Sequence, residues 1–275
     1  MRPAGRSAAA RTAGGGTPVT ISQEMHALGW NYGPLSTEVY NLDKPIGHSF
    51  GDVEYYRRQL GGIEGSVLEP AVGTGRVLVP LLESGLRVEG CDTSADMLAL
   101  CRAECASRDL APVLHHADMA DFLRPGAYSA VIIPAGSIVL LDGREATARA
   151  LANFHQNLEP GGCLLIDVPA PDMATDAAPM RYWRRDDYVW TLQTLRVEYD
   201  RATNQRTEWL RYDKWHDGAL VGSELQLFRL QLWSIAEFRQ LLVDAGFTDV
   251  TVTADYGDAA PGPSSDNWTF RALRH

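Results

Sequence analysis

This 275-residue sequence predicts an α/β fold built around a mostly parallel, doubly wound sheet, and three observations carry that prediction. Residues 67–92 read as a buried strand, a glycine-rich turn, a helix and a second strand ending in the carboxylate of Asp92. Two more apolar runs, 127–133 and 163–168, are separated by a helical pattern, so the alternation of strand and helix continues. Between 170 and 232 the rhythm switches to the two-residue alternation of antiparallel strands, and the strand–helix pattern resumes from 233 to 275.

Taken in chain order, residues 1–20 are rich in Gly, Ala and Arg and have no apolar core to offset ordering entropy, so they read as a disordered tail. From 21 to 62, Trp30, Tyr32, Tyr40, Phe50, Tyr55 and Tyr56 are interleaved with Gly and Pro. Residues 52–60 have helical periodicity and stop at Gly61 and Gly62. The loop before them sets a lone His48 between Gly47 and Gly51, which makes it the first candidate for a general base. Tyr32 and Tyr40 are the other catalytic candidates; a backbone-bonded loop histidine is the plainer reading of His48.

The glycine turn decides the ligand class. Gly73 and Gly75 let backbone approach a ligand where a Cβ would collide. The helix expected over 76–83 aims its N-terminal amides at the same spot, and Asp92 is placed to accept hydrogen bonds from ribose hydroxyls. A nicotinamide or flavin site would read G-x-G-x-x-G, but Leu78 stands at the third glycine position. Glu69, ahead of the turn, would repel a pyrophosphate and attract the ammonium and sulfonium of S-adenosylmethionine (SAM). The run Glu69-Pro70-Ala71-Val72-Gly73-Thr74-Gly75 resembles motif I (E/D-x-G-x-G-x-G) of class I SAM-dependent methyltransferases of the small-molecule, natural-product type, with Ala71 in place of the first glycine. The similarity runs from about Thr37 to the C-terminus.

That resemblance implies a Rossmann-like core over 63–169, completed by 233–275: a seven-stranded, mostly parallel sheet with an antiparallel final strand. It also implies an N-terminal helical cap over 21–62 and an antiparallel β insertion over 170–232. SAM would be the cofactor and S-adenosylhomocysteine (SAH) the product, with Arg57 and Arg58 as candidates to hold the SAM carboxylate. After Asp92 and Thr93, Ser94 can cap a helix running to about 107, with Met97 one turn in, against the adenine. Strand 112–116 leads to Asp118 and Met119, which resemble the family's adenine-binding acid and the residue whose amide follows it. Strand 127–133 exits through Pro134, Ala135 and Ser137, at the carboxyl ends of the strands where ligands bind in such sheets. A helix over 144–158, a Leu-x-Pro-Gly-Gly turn and strand 163–168 follow.

The insertion carries strands at 188–199, 207–215 and 220–232, with turns at 200–204 and at Asp217-Gly218. Such an insertion resembles the roof of an acceptor pocket, and sometimes a homodimer surface. Trp30, Ser137, Trp190, Trp209 and Tyr212 are the substrate-binding candidates, with cross-strand pairing the ordinary explanation of the aromatics. Helix 234–245, strand 249–256 and a final strand 268–273 close the core.

The net charge of −10 supplies no basic surplus for nucleic-acid phosphates, and no apolar run is long enough to span a bilayer. Cys91, Cys101, Cys105 and Cys163 show no zinc-ligand spacing and read as reduced thiols of a cytoplasmic protein without a metal. The sequence therefore predicts methyl transfer to a small, aromatic or heterocyclic specialised metabolite, with N-, O- and C-acceptors all open. A SAM-binding protein that no longer methylates and a nicotinamide oxidoreductase are the rival readings.

Overall fold

The computed structural model describes residues 32–275. Trp30 and the tail expected over 1–20 lie outside the described residues. Two helices precede the main sheet: α1 (Pro34–Asp43), which starts at a proline, and α2 (Asp52–Gln59), which starts behind a left-handed Gly51. Strand β1 (Ser66–Pro70), helix α3 (Leu78–Glu83), strand β2 (Arg87–Asp92) and helix α4 (Ala95–Ala106) then form the expected βαβα unit. The first of these helices begins at Leu78, not at Arg76, because Gly75 is left-handed (φ 86°) and the Arg76 side chain is drawn into a buried ion pair with Asp52.

Strand β3 (Leu114–His116) is only three residues long. Strand β4 (Tyr128–Ile133) runs into a 3-10 stretch (Pro134–Leu140), followed by helix α5 (Gly143–Asn157) and strand β5 (Leu158–Pro169). The Leu-x-Pro-Gly-Gly segment expected as a separate turn lies within β5. Leu158 already pairs with Tyr128, and the register shifts before Cys163 pairs with Ala130.

Four antiparallel strands make the second sheet: β6 (Arg181–Arg185), β7 (Tyr188–Asp200), β8 (Gln205–His216) and β9 (Ala219–Gln231), in that order. Only three were expected. Strand β6 was missed because it is short and mostly charged, an edge strand turned onto β7 through Asp186 and Asp187. The Asp217-Gly218 turn has positive φ at both positions (49° and 76°), as a two-residue hairpin requires.

Helix α6 (Ile235–Asp244), capped reciprocally by Ser234 and Glu237, leads to β10 (Thr248–Ala254) and β11 (Asn267–Leu273). The main sheet has seven strands in the order β10-β11-β5-β4-β1-β2-β3, and β11 runs antiparallel to both its neighbours. Its two faces bury alternate residues. Leu68, Val131, Ile133, Leu164 and Ile166 pack with Phe154 and Phe238 on one side. Val67, Ala130, Ile132 and Leu165 pack with Tyr56, Leu78 and Leu98 on the other. Strand order reverses between β1 and β4, so the crevice outside their carboxyl ends, at Glu69 and Pro134, is where the topology opens a ligand site. Among the described residues no helix is long and apolar enough to cross a membrane.

Candidate cofactor and acceptor site

The site is set by how β1 ends. Glu69 is 3% exposed, and its Oε2 has no hydrogen-bond partner. Burial pushes its carboxyl up to about 8, against the pull of the Arg76 guanidinium, while Asp52 and Asp92 add to the rise. A buried carboxyl with an orphaned oxygen is costly unless a ligand supplies the missing donor. The turn that follows has three left-handed residues, Ala71 (φ 54°), Gly73 (φ 56°) and Gly75 (φ 86°). Ala71, standing where the motif has glycine, thus adopts the conformation that glycine takes without strain. A Cβ on Gly75 would also lie 2.8 Å from Cys101 Sγ, so that position lacks space as well.

Asp92 closes the other side. Its Oδ2 accepts from the Gly73 amide and its Oδ1 from the Ser94 amide, both at 2.8 Å. Burial pushes this carboxyl up, and the amides of Ser94, Gly73 and Thr93 pull it back. These amides fix the group in place, and its remaining acceptor capacity is left for a ligand hydroxyl. Ser94 caps α4 by accepting from Met97 N at 3.2 Å, and Met97 is buried against the glycine turn. Thr93 offers its carbonyl to His116 Nε2 at 2.8 Å. Asp118 spends Oδ1 on the Ala120 amide at 2.8 Å, and Met119 packs into the core.

At β4, Pro134 is buried and Ala135 is left-handed (φ 53°), its amide donating to Asp167 Oδ2 at 2.9 Å. Ser137 Oγ donates to the Pro134 carbonyl at 3.3 Å. An orphaned buried carboxylate oxygen, a glycine cradle and a second fixed carboxylate together fit SAM: an anion for its ammonium, room for its backbone-like end, and acceptors for its ribose.

Sequence reasoning missed the groups that hold this arrangement. Arg76 forms a buried fork on Asp52 (3.1 and 2.5 Å) and donates to the His48 carbonyl at 2.6 Å. A basic residue just before a helix opposes the macrodipole, which was the available signal that Arg76 has a buried partner. Arg57 donates to the Pro80 carbonyl instead, and Arg58 lies over the Tyr55 ring. Asp167 is wholly buried and accepts from Ala135 N, Thr269 Oγ1 and Tyr256 OH at 2.9–3.0 Å. A lone carboxylate ending an otherwise apolar strand was its only trace in the sequence.

A cavity of about 250 Å³ opens between α1 and the second sheet. Tyr32, Tyr40 and Tyr212 line it together, with Asp43, Arg181 and Glu208. Two of these tyrosines reach the cofactor side. Burial raises the Tyr32 phenol, and Asp92 is among the nearby groups that add to the rise. Burial also raises Tyr40, an effect opposed by the adjacent Arg76 guanidinium. The remaining candidates are not brought to the lining. The His48 imidazole is exposed and meets Phe50 edge-on, its ring centroid 4.9 Å away. Trp190 packs in the small core beneath α1 and donates to Glu38 at 2.7 Å. Trp209 pairs across the sheet with Leu227, one residue out of phase with Leu210 and Tyr212, so strand alternation puts it on the opposite face.

Residues 67–162 match a family model described as a methyltransferase domain. The fold is similar to that of SAM-bound CalS10, an amino pentose methyltransferase from Micromonospora echinaspora (TM-score 0.65, 20% identity, 89% of this chain and 98% of that one). The chain is a class I SAM-dependent methyltransferase. A Geobacillus sp. (strain WCH70) protein bearing a provisional methyltransferase name is 26% identical over 76% of this chain and 84% of its own length. The dTDP-3-amino-3,6-dideoxy-alpha-D-glucopyranose N,N-dimethyltransferase of Streptomyces fradiae is 39% identical over 102 residues, 37% of this methyltransferase and 38% of that protein. SAM is the cofactor, and the rival readings as a silent binder and as a nicotinamide oxidoreductase fall away.

Proposed function

We propose that this methyltransferase moves the methyl group of SAM to the nitrogen of a small amine, with amino sugars the favoured class. The observation that carries this reading is the character of the α1 cavity, whose carboxylates, Asp43 and Glu208, are both ion-paired, so that it holds no poised base. Burial pushes up the phenols of Tyr32, Tyr40 and Tyr212, so all three stay protonated at neutral pH. Burial also pushes up Asp43, but Lys44 and Arg181 outweigh it and hold the carboxyl below its ordinary value. Glu208 is paired with Arg206 at 2.9 Å. A hydroxyl or an acidic carbon needs a group to take its proton, whereas a neutral amine attacks with its own lone pair.

SAM supplies the activated methyl group; the chain supplies position and exclusion of water. In this reading Glu69 holds the ammonium end of the cofactor, Asp92 its ribose, and Asp118 with Met97 the adenine side. Pro134 and Ala135 floor the transfer path, and Tyr32 and Tyr40 stand between the cofactor and the acceptor. The described part of the cap segment, 32–62, and the second sheet form the acceptor walls around a core of 63–169 and 233–275. The names of the two amino-sugar enzymes above support the same class. The test is transfer of isotopic methyl from SAM to dTDP-3-amino-3,6-dideoxy-α-D-glucopyranose and simple primary amines, beside the matched alcohols. Label on nitrogen is expected, and its loss in Thr194→Trp, which fills the cavity. Label on alcohols alone would overturn the amine assignment.

A further inference from the structure

Helix α1, with Tyr32 just ahead of it, brings Ser36, Tyr40 and Asp43 to the cavity, yet its own N-cap position is Gly33, which has no side chain to cap with. The cap comes from the second sheet. Glu224 of β9, far away in sequence, accepts from Leu35 N at 2.8 Å and from Ser36 N at 3.2 Å, and Ser36 Oγ donates to it at 2.5 Å. A carboxylate in charge-assisted bonds at the positive end of a helix is a strong seat. The fit leaves no slack: a Cβ on Gly33 would lie 2.8 Å from Glu224 Oε2. The residue before the N-cap is tied to the cofactor side, because Ser94 Oγ donates to the Tyr32 carbonyl at 2.7 Å. Further along, Glu38 takes Trp190 Nε1 at 2.7 Å and Lys214 Nζ at 2.8 Å, and Asp43 takes Arg181 at 3.1 Å. The helix is thus anchored to the second sheet and leans on the cofactor crevice.

We propose that Glu224 is a positioning residue for the methyltransferase site: by capping α1 from the second sheet it holds the Tyr32 backbone on Ser94, next to Asp92, and Tyr40 beside Arg76, so that release of the cofactor requires α1 to leave its seat. The proposal rests on the reading of Glu69, Gly73 and Asp92 as the SAM site. Glu224 touches neither cofactor nor acceptor in this account, and acts only through the helix.

The experiment uses the full chain with SAH as probe. Calorimetry and stopped-flow dissociation are run beside amide hydrogen exchange over residues 34–43. Glu224→Ala is expected to weaken SAH at least tenfold, through faster dissociation, and to strip exchange protection from α1 with the main-sheet amides unchanged. Glu224→Gln, whose single carbonyl oxygen can keep only one of the two amides, should weaken SAH less than Glu224→Ala does. Gly33→Ala should weaken SAH as Glu224→Ala does. The double variant should be no worse than Glu224→Ala alone, since removing the carboxylate also removes the collision. Wild-type SAH affinity and dissociation in Glu224→Ala would overturn the proposal, as would full α1 protection in that variant or additive losses in the double. If the wild-type protein itself does not bind SAH, the cofactor-site reading fails first, and this proposal with it.

Discussion

Glu69 links cofactor affinity to pH. With its carboxyl at about 8, roughly nine-tenths of the molecules carry the proton at pH 7. Meeting an ammonium group as a carboxylate then requires ionisation, which costs about 1.4 kcal/mol at that pH, one pKa unit above ambient. Two consequences follow for SAH binding. Affinity should rise about tenfold from pH 6 to 7, about fivefold more to pH 8, and flatten above it, and each binding event at pH 7 should release about 0.9 proton. Calorimetry in two buffers of different ionisation enthalpy reads that number directly. Glu69→Gln should abolish the release and leave binding weak and flat across the same window. Stability runs the other way. The folded carboxyl sits above its ordinary value of 4.5, so the native chain holds the extra proton between about 4.5 and 8, and this group's contribution declines as pH rises through that range. The apo Glu69→Gln variant should therefore melt higher than wild type at pH 8. Tight SAH binding at pH 7 with no proton released would refute the reasoning.

Three other perturbations test the frame around the site. Ala71→Gly should stabilise the protein by about 1 kcal/mol, because alanine at φ 54° carries a left-handed strain that glycine lacks; thermal melting checks it. Gly75→Ala should destabilise more than Gly73→Ala in the same assay, since its new Cβ meets Cys101 Sγ at 2.8 Å whereas the other only touches Met97 Sδ at 4.0 Å. Asp52→Asn leaves the Arg76 guanidinium buried without its counter-ion and should cost about 3–5 kcal/mol in denaturant unfolding, a larger loss than any exposed ion pair of this chain would give.

Much of the fold was legible because both faces of the main sheet are buried and its strands are separated by helices with clear stops. Residues 67–92 announce a βαβ unit by glycines set between two apolar strands, with Glu69 before them and Asp92 after, and the two-residue rhythm after 187 announces the second sheet. Strand β6 escaped because arginines occupy an edge whose pairing, not whose hydrophobicity, makes it a strand. At the site, local spacing pointed to Glu69, Gly73, Gly75 and Asp92, which lie within one supersecondary unit and converge on one crevice. What spacing cannot reveal is a partner brought in from elsewhere: Asp52 for Arg76, Thr269 and Tyr256 for Asp167, and Glu224 for α1. Aromatic residues misled for a simpler reason. Trp209 and Tyr212 are separated by an odd number of positions, so a strand cannot present both to one cavity.

A crystal structure of the protein with SAH tests the central claim most directly. The account predicts the SAH ammonium within hydrogen-bond distance of Glu69 Oε2, the ribose hydroxyls on Asp92, and the thioether sulfur facing the cavity between α1 and the second sheet. A sulfur turned away from that cavity, or an ammonium bound elsewhere with Glu69 still unpartnered, would contradict it.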